Sequence, residues 1–165
     1  MVLTRQELID ALQHEVKILV HLCGKVQPDM LDYRPTAKQR STLELLRYLT
    51  FMGRVLVPSI RAGSFLVPEW NAGEARAKEM DFDAVVKDLQ ALGDFYADAV
   101  NGFTDEELRG QVDLFGAPGR RGPMLVNLVL SGHAAYRTQL FCYLKACGRE
   151  ELNTMNLWAG VDGAM

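Results

Sequence analysis

Apolar residues recur at three- and four-residue steps over four long stretches of this 165-residue chain, each with its own start or stop signal. Such a pattern commits the chain to amphipathic helices that must bury one face against each other. The first opens at Thr4-Arg5-Gln6-Glu7, where the Thr4 hydroxyl suits a free backbone N–H and Glu7 can reach back. Leu8, Leu12, Val16, Leu19 and Cys23 form its stripe, and Gly24 is a suitable stop. A second box, Ser41-Thr42-Leu43-Glu44, opens helix two, with Leu45, Leu49, Met52 and Leu56 facing inward. Pro58 predicts a kink or a break there, since proline lacks an N–H and crowds the preceding turn, and Gly63 closes the helix. Helix three is expected from Asp81 or Asp83 to Asn101, burying Phe82, Val86, Leu89, Phe95 and Val100. Helix four starts at Pro123, a residue suited to the first helical position, and passes Leu125, Leu128, Val129, Leu140 and Leu144 to Gly148.

Between these stretches, residues 27–40 hold Pro28 and Pro35 and read as a loop. Residues 64–80, with Pro68, Trp70 and Gly73, read as an irregular crossover. Thr104-Asp105-Glu106-Glu107 predicts a short helical turn, residues 111–114 a short strand, and residues 116–119 a turn before helix four. The tail, residues 150–165, is expected to be a loop packed by Trp158. Together these features predict an all-α four-helix bundle with long crossover connections, as a single domain over residues 1–165.

The charge balance narrows the function. Lys and Arg total 18 against 21 Asp and Glu, a net charge of −3, and no segment carries a basic stripe, which argues against a nucleic-acid partner. No apolar run reaches the ~18 residues of a membrane span. The first residues lack a basic region followed by a hydrophobic stretch, so no signal peptide is expected. Cys23, Cys142 and Cys147 have no CxxC spacing. Each is read as a small buried hydrophobe, consistent with a reducing, cytoplasmic setting. No G-x-S-x-G, HExxH or phosphate-cradling glycine loop is present.

Gly132-His133-Ala134-Ala135-Tyr136-Arg137 interrupts the last apolar helix with polar groups. Two readings stand. Either His133, Tyr136 and Arg137 bond one another and the backbone in a buried polar patch, or they line a pocket where the Arg137 fork binds a small anionic or polar ligand. His14 and His21 lie seven residues apart on helix one, about 10 Å along the axis, and are read as exposed or interface residues.

These residues carry a resemblance. Leu31-Asp32-Tyr33-Arg34-Pro35, Ser41-x-x-Glu44-Leu45-Leu46, and Tyr136-Arg137-Thr138-Gln139-Leu140 followed by Tyr143-Leu144 and Gly148 resemble, in order and spacing, the DinB/YfiT-like superfamily of bacterial four-helix bundles. The resemblance spans residues 31–148. It implies a site where three histidines hold one divalent metal: one seven residues after the opening serine, two on the last helix four apart, the second just before an arginine. In this chain those positions are Tyr48, Gly132 and Tyr136, with His133 one residue out of place, a rotation of about 100° around the helix. Neutral tyrosine is a poor ligand for zinc or nickel. No metal and no cofactor are therefore expected. The reading is a bundle whose family metal site is degenerate and whose remnant cavity, lined by Tyr48, Gly132, His133, Tyr136 and Arg137, binds a small molecule. One alternative is a metal-dependent hydrolase or thiol-dependent transferase-like enzyme, as the resemblance implies for relatives. The second is a structural protein without a ligand. A homodimer is expected in any case, since similar bundles pair, with Trp70 and Trp158 as interface candidates.

Overall fold

The helix starts fall where the capping chemistry puts them. In the computed structural model, which describes residues 3–163, α1 (Arg5–Cys23) begins at Thr4. The Thr4 hydroxyl accepts from the Glu7 N–H, and the Glu7 carboxylate accepts from the Thr4 N–H. Ser41 and Glu44 form the same reciprocal box ahead of α2 (Thr42–Ala62). Gly63 ends α2 with φ of 77°, a conformation glycine adopts without a Cβ clash. Of the expected kink or break at Pro58, the break is absent: α2 continues through the proline. Burial on both sides of the proline, from Leu45 to Ile60, holds the helix together despite the missing donor.

Several connections are more ordered than the sequence suggests. Residues 64–80 are not an irregular crossover but contain α3 (Val67–Lys78), with Pro68 in its first turn. Only Ala77 of α3 is fully buried, so no apolar stripe advertises the helix. Helix three divides at Ala91 into α4 (Phe82–Gln90) and α5 (Leu92–Asn101). After α6 (Asp105–Arg109), β1 (Gln111–Leu114) pairs antiparallel with β2 (Ala117–Arg120), with Gln111 opposite Arg120 and Leu114 opposite Ala117. Residues 116–119 are thus part of a hairpin rather than a lone turn. Its two connecting residues, Phe115 and Gly116, have φ of 60° and 72°, the double-positive geometry of a tight hairpin turn.

The last helix begins at Arg121, ahead of the proline expected to start it. It runs as α7 (Arg121–Met124), a π-helical turn (Leu125–Leu130) and α8 (Ser131–Ala146). The tail contains α9 (Thr154–Trp158), capped by Asn153, where a loop was expected.

Helix α1 packs against α4, α5 and α8, while α2 packs against α4, α5, the π turn and α8. Leu12, Leu19, Leu45, Leu49, Leu89, Leu125 and Leu140 fill the space enclosed between them. Helix α3 covers the outside of α2, and α9 covers α1 and α8. Burial accounts for Cys23, whose thiol is pushed up to about 12, but Cys142 is exposed and Cys147 half-buried, unlike the expected buried set. Among the described residues, no helix is long and apolar enough to cross a membrane.

One close approach sets the spacing of α2 and α5. A methyl group at Gly53 would lie 1.7 Å from the Tyr96 hydroxyl oxygen. In an exposed helix Gly→Ala gains about 1 kcal/mol. Here Gly53→Ala is expected to lose about 1–3 kcal/mol through overpacking, read as a lower urea midpoint. A gain in stability would show that the two helices are not held this closely.

Candidate functional site

Positions 132 and 136 lie one turn apart on α8, so both face α2. There they meet Tyr48, and all three line one groove of about 660 Å³. The Tyr48 and Tyr136 rings pack edge to face, with centroids 5.1 Å apart and planes at 68°. Trp70 of α3 stands 5.9 Å from Tyr48, Phe65 lies 5.3 Å from Trp70, and Phe115 of the hairpin turn lies 5.0 Å from Phe65. The groove wall is therefore a run of aromatic rings drawn from α2, the α2–α3 connection, α3, the hairpin and α8. Gly132 opens its floor, since a Cβ there would come within 3.3 Å of the Met52 sulfur.

The electrostatics of this wall are those of neutral groups. Burial and the adjacent Tyr136 hydroxyl push the Tyr48 phenol well above the usual tyrosine range, so it stays protonated at neutral pH. The Arg40 guanidinium lies 4.0 Å from the Tyr48 ring centroid, a cation–π contact. Asn127, Ser131 and the phenols supply polar atoms, and the described lining includes no carboxylate, imidazole or ammonium group.

His133 and Arg137 do not line the groove. One residue on from Gly132 and Tyr136, they point to other parts of the fold. His133, 1 % exposed, shares a 2.5 Å hydrogen bond through Nε2 with the Tyr96 hydroxyl of α5. Among the described residues its Nδ1 is buried without a partner, and burial lowers its pKa to about 4. Arg137 faces α1, donates to both carboxylate oxygens of Glu15, and donates through Nη1 to the Leu157 carbonyl at 2.5 Å. Its guanidinium also stacks on the Trp158 ring at 4.9 Å. The polar interruption is thus divided: Gly132 and Tyr136 line the groove, whereas His133 and Arg137 tie α8 to α5, α1 and the tail. The helix-one histidines serve the tail. His14 Nε2 lies 2.9 Å from the Trp158 carbonyl, and His21 Nε2 lies 3.0 Å from the Asn156 amide.

Sequence reasoning missed Phe65 and Phe115 and took Trp70 for an interface residue, because all three sit in segments without helical periodicity. The available signal was the presence of large aromatic residues in otherwise polar connections. Two tyrosines and a glycine do not fit the three-imidazole metal site that the resemblance implies. Among the described residues, no three His, Cys, Asp or Glu side chains gather to hold a metal ion.

The His133 environment generates a pH prediction. An unfolded histidine titrates near 6.5, whereas this one titrates at about 4. Between those values the unfolded chain binds a proton that the folded chain refuses, so stability falls as pH falls from about 6.5 towards 4. The loss reaches about 3 kcal/mol at full displacement. His133→Gln, which keeps a neutral hydrogen-bonding group, is expected to flatten the unfolding midpoint across this window. An unchanged slope in that variant would remove His133 as its cause.

No family model matches the sequence, and no curated protein matches it. Among solved structures, the chain is similar to the crystal structure of a DinB-like protein, YjoA, from Bacillus subtilis. The TM-score is 0.67 at 19 % identity, over 89 % of this chain and 95 % of that one. A likeness at this identity speaks for the course of the backbone, and on that ground the chain has an all-α, DinB-like fold.

Proposed function

We propose that this protein is a DinB-like bundle whose family metal site has degenerated and whose groove between α2 and α8 binds a small molecule. The observation that carries the reading is the meeting of Tyr48, Gly132 and Tyr136 in one groove. These are the three positions where the resemblance places metal ligands, so the backbone arrangement of such a site is kept while its donors are absent. The aromatic, uncharged wall suits an uncharged, largely apolar and preferably planar molecule, with Asn127 and Ser131 available to orient it. An anionic ligand has less support, because Arg137 is committed to Glu15. The metal-dependent hydrolase or thiol-dependent transferase reading needs metal donors that this groove lacks. A homodimer in a cytoplasmic setting belongs to the same proposal, supported by exposed Met155 and Trp158 on α9 and by three free thiols.

Two measurements test it. Protein purified without chelator is expected to carry far less than one equivalent of transition metal. The triple variant Tyr48→His, Gly132→His, Tyr136→His is expected to bind about one zinc ion per chain by calorimetry. Stoichiometric metal in the native protein, lost in Tyr48→Phe/Tyr136→Phe, would overturn the degenerate-site reading. The neutral aromatic probe N-phenyl-1-naphthylamine is expected to bind saturably and to quench Trp70 in a Trp158→Phe background. Ala135→Trp, placed on the exposed rim of the groove, is expected to weaken that binding at least tenfold. Undiminished binding in that folded variant would place the ligand elsewhere.

A further inference from the structure

A second cavity, of about 850 Å³, opens where α6, the base of the hairpin and the π turn meet α1. Its volume lies within the usual range for ligand sites. Leu8 of α1, Leu108 of α6, and Val126 and Leu130 of the π turn supply its apolar wall. Arg109 and Arg120 stand at its edge. The hairpin register brings these two together, because Arg120 pairs with Gln111, two residues after Arg109, and the Arg121 N–H donates to the Gly110 carbonyl at 3.2 Å.

The charges here do not cancel. Arg5, also at the cavity, donates to the Phe103 carbonyl at 2.6 Å and pairs with Asp105 at 3.4 Å, so the one carboxylate in the lining is already answered. Among the described residues the side chains of Arg109 and Arg120 make neither an ion pair nor a hydrogen bond. Two uncommitted guanidinium groups therefore lie beside an apolar hollow. The π turn adds a second signal, since such widened turns recur where helices are shaped around a function. Here it forms the partition between the two cavities, with Asn127 on the boundary of both.

We propose that this cleft is a second binding site, separate from the aromatic groove, for an amphipathic monocarboxylate such as a medium-chain fatty acid. Its hydrocarbon body lies against Leu8, Leu108, Val126 and Leu130, and its carboxylate sits on the forks of Arg109 and Arg120. Guanidinium groups match the planar carboxylate, and the apolar wall selects for the chain over a small inorganic anion.

Calorimetry with decanoate as the probe tests this. The native protein is expected to bind one decanoate per chain, more weakly as salt is raised, since exposed arginines are screened. Arg109→Gln/Arg120→Gln is expected to weaken decanoate binding at least tenfold and to leave decanol binding unchanged. Arg109→Lys/Arg120→Lys should retain part of the affinity, which keeps the test readable if circular dichroism shows the glutamine pair to be misfolded. Ala135→Trp should leave decanoate binding intact, so a failure of this site is distinguishable from a failure of the groove. No saturable binding, equal binding by the native and glutamine forms, loss in Ala135→Trp instead, or inorganic phosphate binding as tightly as decanoate would each overturn the proposal.

Discussion

The rotational setting of α8 depends on a buried ion pair between Arg137 and Glu15, and the residues that α8 presents to the aromatic groove follow from it. Arg137 is 3 % exposed and Glu15 9 % exposed, so neither charge can turn to solvent. Buried pairs are weak evidence of net stabilisation, because desolvation offsets most of the Coulomb gain. Their strength lies in what they forbid. Turning α8 about its axis would leave a charge unpaired in the interior, at a cost of about 3–5 kcal/mol. The Leu157 carbonyl and the Trp158 ring hold the same guanidinium from the tail side, so α9 helps to set the helix as well.

With Arg137 turned towards α1, the 3.6-residue period does the rest. Gly132 and Tyr136 face α2, while His133 points at Tyr96 on α5. Tyr48, Gly132 and Tyr136 converge in that geometry, and none of the side chains there is an imidazole. Two phenol rings and a bare glycine make this an aromatic centre. Edge-to-face contacts among Tyr48, Tyr136, Trp70 and Phe51 then stabilise the wall without any charge.

The two cavities have opposite chemistry although they share the π turn. The groove towards α2 is neutral and aromatic, and its nearest cation, Arg40, is spent on the Tyr48 face. The cleft towards α1 is aliphatic, with two uncommitted arginines. A regular α-helix turns by about 100° per residue, whereas the π turn widens the helix locally. Val126 and Leu130 reach one cavity, Leu128 and Ser131 reach the other, and Asn127 borders both.

Local chemistry made most of the helical skeleton readable in the chain. The boxes at Thr4, Ser41 and Thr104 depend on residues three apart, and the stripes of α1 and α2 repeat at short range, so both are visible without knowing the fold. Helix α3 was hidden because it buries almost nothing, and the Pro58 break did not occur because packing outweighed a single lost donor. The identities of Tyr48, Gly132 and Tyr136 were equally legible, being read directly from the chain. What each neighbouring side chain does was not. His133 and Arg137 sit beside those positions in the chain, yet their partners Tyr96, Glu15 and Leu157 are 37, 122 and 20 residues away. Long-range partners of this kind exist only once the helices have packed, which is why the division of one short motif between a groove, the core and the tail had to come from the folded molecule.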